Sequence, residues 1–231
     1  VDTTNLDSKN NNKKGDKMSN QTMLEKTGKP HKFFTGEIYR NDPGLRNFIE
    51  ETWKYLKSTT DQITGDAIEY KKDNAEKMQA FQKSYNFLNF MDTRMHDVML
   101  LVKNLVIEAC DYYEIDYAKE KYYMSAWINY TKGPKVVTPG QIAYDDHGSD
   151  PTEFHGYYAI DAEPNSTVYK LDHDVLFAHE NKNGKILLSL NGYHHGVDTW
   201  PFDKPRITIA FNIVPLSKAI HDPGIPWIPL L

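Results

Sequence analysis

Cysteine is almost missing from this chain. Its 231 residues include one, Cys110, which excludes an internal disulfide framework and a cysteine-built zinc site. That usage suits a reducing compartment. Long hydrophobic runs are missing too: no apolar stretch approaches the roughly 20 residues that a membrane helix needs. A surplus of positive charge is also lacking. Lys and Arg number 27 against 32 Asp and Glu, a net charge of −5, and an acidic body argues against a duplex nucleic-acid partner. No internal repeat is visible. Aromatics, in contrast, are plentiful: 13% of residues, with 15 Tyr, within a hydrophobic total of 39%. That is sufficient for one sizeable core.

Charge and structure are distributed unevenly. Residues 1–32 carry seven Lys against four Asp and Glu, and few large apolar residues. They are expected to form a flexible basic tail. Residues 33–231 read as a single domain, helical over 41–118 and strand-rich over 120–216. "FFTGEIYR" (33–40) has the character of a short strand. In "NDPGLRNFIEETWKYLK", Asp42 is placed to cap a helix and Pro43 to sit in its first turn. Leu45, Phe48, Ile49, Trp53 and Leu56 then recur at helical spacing. Residues 59–80 are polar and read as a mobile connection. From Met91 to Tyr113, Val98, Leu101, Val102, Leu105, Val106, Ala109 and Cys110 form one apolar stripe. Cys110 therefore belongs to the core.

Beyond residue 120 the pattern changes. "YYMSAWINY", "EFHGYYAI", "STVYKL", "KILLSL" and "RITIAFNI" are rich in aromatic and β-branched residues and read as strands. Gly, Pro, Asn and Asp separate them. Strands do not alternate with helices, so a sheet sandwich with helices packed outside fits best.

Six of the nine histidines fall between residues 147 and 195. In "IAYDDHGSD", Asp145 and His147 share one side of an extended segment and could bind one cation together; a plain polar turn is the other reading. In "YHHGV", adjacent residues on a strand face opposite ways, so one of His194 and His195 can face a pocket. In "RITIAFNI", Arg206, Thr208, Ala210 and Asn212 share a face opposite Ile207, Ile209, Phe211 and Ile213. Arg206 with Thr208 makes a carboxylate clamp, or else a surface salt bridge. The order of these features suits a mononuclear iron site holding a 2-oxo acid. Two His and one carboxylate leave coordination positions open, and a cation several ångströms away meets the far carboxylate.

Residues 122–215 resemble the 2-oxoglutarate- and Fe(II)-dependent oxygenases, most of all their phage and bacterial branch with its prolyl-hydroxylase-like pattern. The residues that carry this are "AWINYTKG", "DDHGSDPTEFHGYYAI", "NGYHHGV" and "RITIAFNI". The resemblance implies a mainly β, α+β chain: a double-stranded β-helix (jelly-roll) core with N-terminal helices packed outside. It implies Fe(II) and 2-oxoglutarate as cofactors and O2 as the other co-substrate. The reaction would hydroxylate an unidentified substrate and release succinate and CO2. It implies Asp145, His147 and His195 as metal ligands, with His194 on the opposite face. Arg206 and Thr208 would hold the distal carboxylate of 2-oxoglutarate, with Tyr158 against the same carboxylate. The family pattern is His-x-Asp, His-x-Glu or His-x-His, whereas this chain reads Asp145-Asp146-His147, and Asp146, Asp150 and His155 are alternative donors. A cytoplasmic location is expected, in the host if the chain is phage-encoded, with no membrane partner. The loops 59–80, 131–141 and 172–184 are expected to wall the substrate entrance. The alternative is a non-catalytic jelly-roll protein, structural or virion-associated, that retains the scaffold. A cupin-like metal enzyme without 2-oxoglutarate would instead need a further His, such as His155, and no role for Arg206.

Overall fold

The computed structural model describes residues 28–64, 86–89, 92–131, 153–170, 176–191, 193–221 and 224–231. Strand β1 (Phe34–Glu37) leads into helix α1 (Pro43–Thr64). Asp42 caps α1 by accepting from the Leu45 amide at 2.8 Å, satisfying one orphan donor of the first turn. Helix α2 (Thr93–Tyr113) is capped likewise by Asp92, which accepts from the Arg94 amide, and it ends on Glu114 in the left-handed conformation. Its expected stripe is buried except for the half-buried Leu101, and Cys110 lies in the core with burial pushing its thiol up to about 12. Among the described residues, no helix is long and apolar enough to cross a membrane.

The remainder is mostly β, and every described strand pair is antiparallel. The strands are β2 (Tyr122–Thr131), β3 (Phe154–Asp161), β4 (Asn165–Lys170), β5 (Leu176–Asn181), β6 (Lys185–Leu190), β7 (His194–Val197), β8 (Arg206–Pro215) and β9 (Ile228–Pro229), with a short helix α3 (Leu216–Ala219) after β8. A six-stranded sheet runs β1-β6-β3-β8-β2-β9, and a three-stranded sheet runs β5-β4-β7.

Strand parity divides the larger sheet into two faces. Met124, Ala126, Ile128, Phe154, Tyr158, Ile186, Leu188, Ile207, Ile209, Phe211 and Ile213 pack with the buried stripes of α1 and α2 in one core cluster. The opposite face carries Tyr157, Ala159 and Leu187, which cluster with Tyr169 of the smaller sheet and with Tyr193. One face thus meets helices and the other meets a second sheet.

Three expectations are revised. Helix α1 runs on to Thr64, past the point where a mobile connection was expected, because "STTDQIT" contains no Gly or Pro to stop it. The stretch 172–184 contains strand β5, so it is not simply a loop. Within the expected tail, residues 28–32 are docked. The Lys32 amide donates to the Tyr113 hydroxyl at 3.0 Å, and the Tyr112 hydroxyl donates to the Pro30 carbonyl at 3.1 Å. The His31 ring meets Tyr193 edge-on at 4.3 Å. Residues 1–27 lie outside the described residues.

Candidate functional site

The space between the two sheets collects the polar residues. On β8, the inward positions are Arg206, Thr208, Ala210 and Asn212, and all four are buried. Arg206 is 3% exposed and Thr208 2%. On β3 the inward set is His155, Tyr157 and Ala159, paired across the ladder with Asn212, Ala210 and Thr208. Ala159 adds only a methyl beside Thr208, and both are buried.

From the facing sheet, β4 presents Asn165, Thr167 and Tyr169, β5 presents Phe177, His179 and Asn181, and β7 presents His195. The register pairs Tyr169 with both Phe177 and His195. His194 is exposed while His195 is half-buried and inward. The His195 ring lies parallel to His155, at 4.7 Å and 8°, and 5.4 Å from Tyr169. These rings form a ladder that crosses from one sheet to the other. Tyr169 is fully buried, and burial raises its phenol well above the ordinary range.

Beside the ladder runs a hydrogen-bonded chain. Arg206 Nε donates to Asn165 Oδ1 at 2.9 Å, and Asn181 Nδ2 donates to the same oxygen at 3.3 Å. Asn181 Oδ1 accepts from the Tyr157 hydroxyl at 2.6 Å and from Thr167 at 3.3 Å. The Tyr157 oxygen lies 3.3 Å from His179 Nδ1, and Lys185 Nζ lies 3.3 Å from His179 Nε2. An ammonium can only donate, so Nε2 accepts and the proton of His179 sits on Nδ1, aimed at Tyr157. Burial pushes the Tyr157 phenol up to about 12, against the opposing pull of Thr167 and Arg206.

His179 must stay neutral for this chain of bonds to hold. Burial, then the Lys185 charge, lowers its pKa to about 4, whereas in the unfolded chain it titrates near 6.5. Between these values the unfolded state binds the extra proton, so stability is full above about pH 6.5 and falls as pH drops toward 4. The chain with His179→Gln is expected to show a shallower loss of melting temperature across that window. Equal slopes in the two proteins would remove His179 from the account.

The expected site residues divide into three groups. Arg206 and Thr208 share the buried inward face of β8, while His195 turns inward from the facing sheet and stacks on His155, which pairs with Asn212 farther along β8. Tyr158 does not join them: its side chain faces the helices, and its hydroxyl donates to the Ile38 carbonyl at 2.9 Å. The tyrosine on the Arg206 face is Tyr157, one residue earlier. Asp145 and His147, with Asp146 and Asp150, lie outside the described residues. Asn165, Asn181, Tyr169 and His179 were missed as site residues. The signal for them was strand parity in "NSTVYK" and in the unrecognised strand "LFAHEN".

Among the described residues, no group of three His, Cys, Asp or Glu side chains is placed to hold a metal ion. The donor chemistry that is described does fit part of an iron and 2-oxo acid site. The inward imidazole of His195 is a suitable iron ligand, and a buried guanidinium beside a hydroxyl suits a carboxylate.

No protein-family model matches the chain, and no curated protein matches it. Among solved structures, it is similar to an oxidoreductase of the 2OG-Fe(II) oxygenase family from Burkholderia pseudomallei. The identity is 15% and the TM-score 0.36, over 42% of this chain and 46% of that one. The match thus spans about half of that protein's length.

Proposed function

We propose that this chain is an Fe(II)- and 2-oxoglutarate-dependent dioxygenase on a double-stranded β-helix core, hydroxylating its substrate with release of succinate and CO2. The observation that carries this reading is Arg206. A guanidinium buried to 3% exposure opens the inward face of β8, with Thr208 two residues on, and His195 turns inward from the facing sheet. The motif order in the sequence calls for that placement.

In this reading Asp145, His147 and His195 hold the metal. Arg206 and Thr208 hold the distal carboxylate, and Tyr157, whose hydroxyl donates to Asn181, lines the same inward face. When bound, Fe(II) and 2-oxoglutarate supply the activation of O2. The chain supplies position and a dry wall. Arg206 gives two parallel N–H bonds to a planar carboxylate, and Thr208 adds a hydroxyl on the same face. Trp127, Leu187 and Tyr169, all buried, exclude water, and the lowered local dielectric strengthens the charged pair.

Incubation of the purified protein with Fe(II), ascorbate and 2-oxoglutarate is expected to produce succinate, with no product when the metal is chelated. One Mn(II) or Co(II) is expected to bind per chain. Failure of both metal uptake and 2-oxoglutarate binding would leave the non-catalytic jelly-roll reading, structural or virion-associated, in its place.

A further inference from the structure

We propose that Asn165 is a positioning residue that sets the span between β7 and Arg206, and thereby the chain length of the 2-oxo dicarboxylate the site accepts. The inference rests on the reading of the site as a 2-oxoglutarate site. It concerns a residue that the motif pattern does not contain.

Asn165 is 7% exposed, and its amide uses its full hydrogen-bonding capacity. Oδ1 accepts from Arg206 Nε at 2.9 Å and from Asn181 Nδ2 at 3.3 Å. Nδ2 donates to the Asp198 carbonyl at 3.2 Å and the Thr199 carbonyl at 2.8 Å. Two acceptor sites and two donor hydrogens are what an Asn amide has. The amide therefore has one allowed orientation. Turned over, it would set its NH2 against two donors and its oxygen against two carbonyls.

Those four partners lie on different parts of the site. Asp198 and Thr199 directly follow β7, the strand of His195. Arg206 opens β8. Asn181 is held in turn by Tyr157 and Thr167. One amide thus holds the exit of the His195 strand, the guanidinium, and the facing sheet at fixed separations. With Nε engaged by Asn165, the guanidinium is oriented about its long axis, and the two Nη groups form the edge that can grip a carboxylate side by side. A ligand joined to the metal at its 2-oxo end must reach that edge with its other carboxylate. A rigid span selects one carbon count.

Substitution separates these roles. Asn165→Ser shortens the side chain and keeps only one donor hydrogen, so the span is no longer fixed. Asn165→Asp keeps both acceptor sites, loses both donors, and brings a carboxylate that competes for Arg206.

The test is calorimetric titration of the full chain loaded with Mn(II), using 2-oxoglutarate (five carbons) and 2-oxoadipate (six carbons), with a melting curve for each protein. The unmodified protein is expected to prefer the five-carbon acid by about tenfold or more. Asn165→Ser is expected to reduce that preference to about threefold or less, and Asn165→Asp to weaken both acids by about tenfold. A preference unchanged in a folded Asn165→Ser protein overturns the inference. So does an unmodified protein that binds both acids equally, a result that needs no variant to fold. An unmodified protein that binds neither acid overturns the 2-oxoglutarate reading itself, and this inference with it.

Discussion

Replacing Arg206 with Ala is expected to raise the Kd of the Mn(II)-loaded protein for 2-oxoglutarate by about 30-fold to several thousandfold. The range follows from the ~2–5 kcal/mol lost when one partner of a buried charge-assisted pair is removed. Burial decides the size. An exposed arginine would contribute about 1 kcal/mol or less, but Arg206 is 3% exposed and sits on the inward face of a strand buried along its whole length. Arg206→Lys tests geometry apart from charge. It keeps the cation but loses the planar fork and the Nε bond to Asn165, so it is expected to recover only part of the affinity. Thr208→Val removes one neutral hydroxyl and is expected to cost about 1 kcal/mol. Titration of the three variants against one another reads all of this. A Kd for Arg206→Ala within twofold of the unmodified protein would reassign Arg206 to a purely structural role in the hydrogen-bonded chain between the sheets.

The same residues explain how much the sequence disclosed. The face of β8 was legible because "RITIAFNI" alternates cleanly: large apolar residues take the helix side, and Arg, Thr, Ala and Asn take the other. Strand parity allowed only one of His194 and His195 to face inward, the family resemblance chose His195, and the two lie on opposite sides, exposed and inward. The tyrosine was misread because β3 is buried on both faces. A strand covered on both sides loses its apolar–polar alternation, and Tyr157 and Tyr158 look alike. Parity from Phe154 and Ile160, which join the helix-side core, would have put Tyr158 with them and Tyr157 opposite. Strand β5 was missed for the opposite reason. It is a largely exposed edge strand, so "LFAHEN" carries no burial signature, and the role of its inward members, His179 and Asn181, depends on pairing with β4. The Asn165 amide was illegible in principle, because its four partners are spread from residue 181 to residue 206 and meet only when both sheets are in place.

Gly156→Ala is expected to be the most disruptive substitution outside the polar site. A Cβ at position 156 would lie 2.1 Å from the Leu187 carbonyl oxygen and 2.6 and 2.7 Å from ring atoms of Phe211. The ring could swing aside, but the carbonyl belongs to the backbone of β6, which pairs with β3 through Gly156 and Leu188. Relief therefore requires two adjacent interior strands of the larger sheet, β6 and β3, to separate locally. Overpacking of a tight core costs ~1–3 kcal/mol and sometimes more, and a clash with backbone belongs at or above the top of that range. For a chain of this size about 3 kcal/mol corresponds to a fall in melting temperature of roughly 6–12 °C. The displacement also reaches the site, because Gly156 lies between His155 and Tyr157, whose side chains face it. The variant is thus expected to melt earlier and, while still folded at low temperature, to bind 2-oxoglutarate more weakly. Thermal unfolding followed by circular dichroism tests the first expectation and titration the second. A melting temperature within about 2 °C of the unmodified protein would mean that β3 and β6 can part at this point without strain, and that the glycine is not what lets these two strands approach.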